Sequence, residues 1–206
     1  MSIEGLNYTG EDEPDNSNFE NPPSSTDGTA YNAICNHIWN LGIRKNDFDK
    51  TKVKYNKKIM LSFELDAVDS KGNPFTVFTP LMTLKLSRSK KEGMSNSALL
   101  DLVEGWLDKQ LPSKEVDGKT CIPFDFNTLK GMTARLKLIP KKDNVIVKKG
   151  SVQPLPKFDP ESGDEIEIPT IKNPIDDKGL YSDGKMHGWP KWFLDNPDDL
   201  SEMVPF

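Results

Sequence analysis

Cysteine and histidine are almost absent from this 206-residue chain, which has two of each. Two thiols make neither a disulfide framework nor a metal site. Cys35 and Cys121 are therefore expected to be reduced and packed. His37 falls in an apolar stretch and His187 in a tail, and neither sits in a metal-ligand spacing such as H-x-x-x-H. Long apolar runs are missing too: no stretch approaches the roughly 18 residues of a membrane span. The first residues, MSIEGLNYTGEDEPDNSN, have neither the basic start nor the apolar run of a secretory leader. The phosphate-cradling loops G-x-x-x-x-G-K-[ST] and G-x-G-x-x-G are absent, as is the G-x-S-x-G elbow of hydrolases. Most carboxylates cluster near the chain ends, where solvation leaves them chemically ordinary. These absences point to a cytoplasmic protein that is not an enzyme and needs no metal and no cofactor.

What is present is charge, in blocks. Residues 1–30 hold seven acidic and no basic residues, a net of −7. Residues 31–157 hold 23 basic and 13 acidic residues, a net of +10. Residues 158–206 hold 4 basic and 12 acidic residues, a net of −8. The formal net charge of −5 thus hides a basic body between two acidic ends. Such segregation is the pattern of a polyanion-binding domain with acidic interaction or regulatory tails.

Residues 1–28 are polar, acidic and rich in Pro and Ser, and cannot bury enough apolar surface to fold alone. From Thr29 the pattern changes. TAYNAICNHIWNLG reads as a first strand that stops at Gly42. A basic connection follows, with Phe48 and Tyr55 embedded in it. KIMLSFELDAV alternates, with Ile59, Leu61, Phe63 and Leu65 on one side and Lys58, Met60, Ser62 and Glu64 on the other, a half-buried strand. PFTVFTPLMTLKL is a third strand, bent or at an edge at Pro80. SNSALLDLVEGWLDKQL sets Leu99, Leu102, Val103, Trp106 and Leu107 on one helical face, with Ser95 or Ser97 as cap and Pro112 as terminator. CIPFDFNTLKG reads as a short turn of helix. MTARLKLIP and DNVIVKKGSVQPLP supply two more strands. Three strands, a helix and two strands is the order of the oligonucleotide-binding barrel, a five-stranded Greek-key barrel with its helix between strands three and four. The expected fold is therefore mostly β: an acidic arm over 1–28, the barrel over 29–157, and an acidic linker and interaction tail over 158–206. Within that tail, HGWPKWFLDNP carries an aromatic knot of Trp189, Trp192, Phe193 and Leu194 that could dock on the domain.

The basic residues concentrate where such a barrel binds its ligand, on strands two and three and the loops joining strands 1–2 and 4–5. Arg44, Lys45, Lys50, Lys52, Lys54, Lys57 and Lys58 crowd the first connection, around Phe48 and Tyr55. Arg88, Lys90 and Lys91 follow the third strand; Arg135, Lys137, Lys141 and Lys142 accompany the fourth and its turn. Cations track phosphates and aromatic faces stack bases at about 1–3 kcal/mol each, so Trp39 and Phe48 join these cations as candidate contacts with single-stranded DNA. An RNA strand would meet the same groups.

The end of the chain, DNPDDLSEMVPF, resembles the acidic, Pro-Phe-terminated tip of bacterial single-stranded-DNA-binding proteins. The matching positions are Asp198, Asp199, Glu202, Val204, Pro205 and Phe206, and the resemblance implies that this tip recruits replication or recombination proteins. Leu200, Ser201 and Met203 interrupt the acidic run. Over residues 28–157, the order of DGTAYNAICNHIWNLG, KKIMLSFEL, LLDLVEGWLDKQL, FDFNTLKGMTARLKLIP and GSVQPLPK is similar to that of small phage replication proteins of the oligonucleotide-binding type. That likeness implies a sequence-independent coat for single-stranded DNA in a host-cell cytoplasm, compatible with a homo-oligomer. Two other classes fit the charge pattern: an interaction or inhibitor module that does not bind DNA, and an accessory subunit of a phage recombination enzyme.

Overall fold

The computed structural model describes residues 20–25, 29–46, 54–89, 95–116, 119–141 and 144–198. The protein is mostly β, built on a strongly curled antiparallel sheet with few helices. Two long strands make its frame, β1 (Tyr31–Asn46) and β2 (Lys54–Val68), paired from Ala33 opposite Leu65 to Asn46 opposite Lys54. β1 does not stop at Gly42, as expected, but runs on to Asn46. Gly42 has φ of +72° within a register shift between Asn40 and Ile43. Glycine adopts that conformation without a Cβ penalty, so the strand bulges and bends there instead of ending.

A second register shift, between Cys35 and His37, has a larger effect. One inserted residue exchanges the two faces of everything beyond it. Ala33 and Cys35 enter the main core, whereas Trp39 and Leu41 enter a separate cluster. β2 has no such break through its centre. Its Ile59, Leu61, Phe63 and Leu65 all face the main core, as its alternation predicts.

The third strand is bent where Pro80 foretells it. β3 (Pro74–Phe78) and β4 (Met82–Thr83) both pair with β2, and the chain between them leaves the ladder. Thr79 bridges the gap: its N–H donates to the Leu61 carbonyl at 2.9 Å, and its hydroxyl accepts from the Leu61 N–H at 3.0 Å. Helix α1 (Ala98–Leu107) follows and buries Leu99, Leu100, Leu102, Val103 and Trp106. Ser97 stands at its N-cap position without capping it, since its hydroxyl accepts from the Ser87 N–H. The helix ends at Asp108, in the left-handed region at φ 49°, before Pro112 is reached. Trp106 is held by an indole N–H bond of 2.8 Å to the Thr133 carbonyl and lies 5.3 Å from Phe63.

A small hairpin, β5 (Lys114–Val116) with β6 (Lys119–Cys121), has no counterpart in the sequence reading. The expected helical turn is a 3-10 turn, Phe126–Leu129, capped by the Asp125 carboxylate on the Asn127 N–H. β7 (Thr133–Leu136) pairs antiparallel with β1, giving the strand order β3-β2-β1-β7 with β4 also on β2. β8 (Leu138–Lys141) and β9 (Asn144–Val147) form a hairpin of their own. Helix α2 (Gly188–Asp195) is the last element. No helix among the described residues is long and apolar enough to cross a membrane.

Candidate nucleic-acid interface

The alternation of β2 places Lys58, Met60, Ser62 and Glu64 opposite the core, on a side expected to be wet. All four are buried. Over Met60 and Glu64 the cover is the chain's own C-terminal part, whereas Lys58 lies against Thr83 of β4. Residues 158–198, expected as a linker, include a strap, residues 172–198, that crosses this face. Its first contact is polar: the Glu64 carboxylate accepts from the backbone N–H groups of Lys172 and Asn173 at 2.6 and 2.9 Å. A buried carboxylate needs such donors, because leaving it unpaired costs several kcal/mol. Ser62 is satisfied within the face, accepting from the Trp39 indole at 3.0 Å and donating to Asn36 at 2.6 Å. Tyr181 of the strap bonds Thr76 on β3, and its burial pushes the phenol up to about 12.

Packing continues the attachment. Trp39, Leu41, Met60 and Trp189 make a second buried cluster, flanked by Phe78, Leu81, Ile175, Met186, Trp192 and Phe193. Gly179 touches it most closely. It has φ of +83°, and a Cβ there would lie 2.5 Å from the Trp39 ring. Lys130 and Asp177 tie the strap to the loop before β7 at 3.2 Å. Beneath this contact lies His37, buried and 4.5 Å from the Trp39 ring. Burial, reinforced by Lys130, pushes the His37 imidazole down to about 4, against the opposite pull of Asp177 and Asp176. The ring is neutral at pH 7.

Helix α2 lies between two basic hairpins. On one side Arg44 of β1 donates to the Phe193 and Asn196 carbonyls and stands 5.6 Å from the Phe193 ring centre. On the other, the Lys141 ammonium of β8 stands 4.9 Å from the Trp189 ring centre. Both are cation–π geometries. Just past the helix, the Asp198 carboxylate accepts from the Lys45 N–H at 2.8 Å. The aromatic knot read from HGWPKWFLDNP is this helix, docked.

The predicted contact residues divide accordingly. Lys54 and Lys57 are exposed on the arm formed by the ends of β1 and β2, with Lys45 and Tyr55 half-buried beside them. Lys141 is exposed and Lys137 half-buried. Several expected contacts are corrected. Trp39 is 3% exposed, sealed under the strap, and has no face to offer a base. Arg44 is 5% exposed, its donors taken by Leu41, Phe193 and Asn196. Arg88 forks onto Glu104 and also donates to the Leu111 carbonyl at 2.7 Å. Burial works against the Glu104 carboxylate, yet Arg88 and the Leu111 N–H hold it below its ordinary range. Arg135 pairs with Asp159 at 3.1 Å. Lys58 is buried and donates to the Thr83 hydroxyl at 3.1 Å. These side chains serve the fold. Phe48, Lys52, Lys90, Lys91, Lys142, Asp199, Glu202, Val204, Pro205 and Phe206 lie outside the described residues.

Two exposed cations escaped the sequence reading, Lys148 and Lys149, at the turn after β9. The signal was present as a KKG triplet, where glycine marks the turn and the lysines precede it. Cys35 is free and buried, as expected, whereas Cys121 is free and exposed rather than packed. Among the described residues no group of three or more His, Cys, Asp or Glu could hold a metal ion. Comparison with protein-family models, with curated proteins and with solved structures returns no match for this chain.

Proposed function

We propose that the protein binds single-stranded DNA without sequence preference, through an oligonucleotide-binding barrel, as a non-enzymatic factor in replication or recombination. Counting β3 with β4 as one bent strand and β7 with β8 as another, the chain order is three strands, α1, then two strands, the order of that barrel. The small β5–β6 hairpin is then an insertion after the helix. The observation that carries the reading is the pair of cationic hairpins on either side of one sheet face, the arm with Lys45, Lys54 and Lys57 and the β8–β9 hairpin with Lys141. In this barrel class those are the loops that embrace the strand. On this reading the strap occupies the strand's place. Its aromatic rings lie against cations, and its carbonyls take the guanidinium donors a phosphate would take. The acidic tip beyond it, through Phe206, recruits partner enzymes.

The test is a titration of the full chain with labelled single-stranded and duplex oligonucleotides of equal length over a range of salt. About five phosphate contacts would give a log–log slope near −3.5, at about −0.7 per contact. Equal affinity for the two forms, or an affinity indifferent to salt, overturns the reading. A second reading has one observation in its favour. A face filled by the chain's own helix is what an interaction module that never meets DNA would also have. That reading requires no oligonucleotide binding even after the strap is removed.

A further inference from the structure

The curled sheet has an open seam, and a cavity of about 390 Å³ lies in it. β4 pairs with β2 and β9 with β8, while among the described residues no ladder joins β4 to β9. Part of the lining is apolar: Leu81 beside β4, Met82 of β4, Leu102 of α1 and Val147 of β9. The lining is also cationic: Lys148 and Lys149 come from the turn after β9, and Lys58, bonded to Thr83, from β2. No acidic residue is among its described lining. Ser97 and Ala98, at the start of α1, complete the wall. Ser97 gives the helix no side-chain cap, so the positive end of the helix adds to the Lys148 and Lys149 charges.

We infer that this cavity binds a nucleotide, the phosphate at Lys148 and Lys149 and the base against Leu81, Met82, Leu102 and Val147. A free inorganic phosphate would leave the apolar lining unused and most of the volume empty. A purely apolar ligand would cover the Lys148 and Lys149 ammonium groups without giving them an anion, which costs more than the contact returns. The volume falls in the range of small-molecule sites. The hydroxyl of Thr83, already accepting from Lys58, keeps its own proton to donate to the edge of a base. The inference rests on the nucleic-acid reading for its class of ligand, and the nucleotide can be a free monophosphate or the phosphorylated end of a strand.

The experiment titrates the full chain with deoxythymidine 5′-monophosphate, thymidine and inorganic phosphate separately. The monophosphate is expected to bind at least tenfold more tightly than either fragment. The double variant Lys148→Glu/Lys149→Glu, at exposed positions, is expected to lose at least tenfold of that affinity with an unchanged melting temperature. Methyl resonances of Met82, Leu102 and Val147 should shift on addition of the monophosphate, a readout that needs no variant. A short oligonucleotide with a 5′-phosphate, compared with the same strand without it, assigns the source: tighter binding means a strand end, equal binding means a free nucleotide. Monophosphate binding no tighter than phosphate, unshifted methyl groups, or a double variant that binds as well as the parent overturns the site. Binding of the monophosphate by a chain that binds no oligonucleotide, with or without its strap, keeps the site and overturns the strand-binding reading.

Discussion

His37 shows how a single buried group couples pH to the fold. Its pKa in the folded protein, about 4, lies below the ordinary imidazole value of 6.5. Between those values the unfolded chain binds more protons than the native one, so stability rises with pH in that window. The contribution is complete above pH 6.5 and is lost as the pH falls towards 4. The melting temperature is therefore expected to drop between pH 6.5 and 5, before most carboxylates titrate, and the drop should shrink in His37→Asn. An equal drop in the variant would assign the effect elsewhere. The two cysteines make a separate prediction. Cys35 is fully buried, and burial pushes its thiol up to about 12, so almost no thiolate exists at pH 8. Iodoacetamide should label Cys121 in the native protein and Cys35 only after unfolding. Mass analysis before and after denaturant reads this directly, and two labels on the native protein would contradict the burial of β1.

At the scale of elements, the strap is the part whose removal tells most. Gly179→Ala places a methyl group in the Trp39 ring and forces a left-handed backbone on alanine. A destabilisation of about 1–3 kcal/mol is expected, read as a lower denaturation midpoint together with a red shift of tryptophan fluorescence. An unchanged midpoint would mean that the strap does not rest where the contact requires. Ending the chain at residue 171 goes further, because it uncovers Trp39, Leu41, Met60 and the Glu64 carboxylate. The truncated protein should melt at a lower temperature yet bind single-stranded DNA more tightly, since an occupant of the sheet face is gone. A folded truncation that binds more weakly would make the strap part of the binding surface.

For the whole molecule, the distribution of charge separates two kinds of competition. Residues 172–198 carry five acidic and four basic residues, so the strap is nearly neutral and is held by packing and hydrogen bonds. On the proposed reading its competition with a strand is therefore steric. Residues 199–206 carry two acidic residues and no basic ones, so on the proposed reading the tip would compete through charge. Salt screens the second and not the first. The gain in affinity on ending the chain at 171 should stay nearly constant as salt rises, while the smaller gain on ending it at 198 should fade. A strap effect that fades with salt in the same way would show that its charges, not its bulk, oppose the strand.

The sequence by itself determined the strands of the main sheet, helix α1 and the block charges. Those follow from local periodicity and from turn chemistry, and each needs only neighbours in the chain. It placed Leu61, Phe63 and Trp106 in the core because their spacing alone sets them on one face. Only the tertiary structure decided which polar faces are wet. Period two says that Lys58, Met60, Ser62 and Glu64 share a side, but not that residues more than a hundred positions later return to cover it. Trp39 could not be assigned for a related reason: one inserted residue near Cys35 exchanges the faces of β1, and that insertion leaves no mark in the alternation. Arg44, Arg88 and Arg135 read as phosphate ligands because a guanidinium looks the same in sequence whether it meets a phosphate or an internal carbonyl or carboxylate. The choice is made by what the fold brings within hydrogen-bond reach.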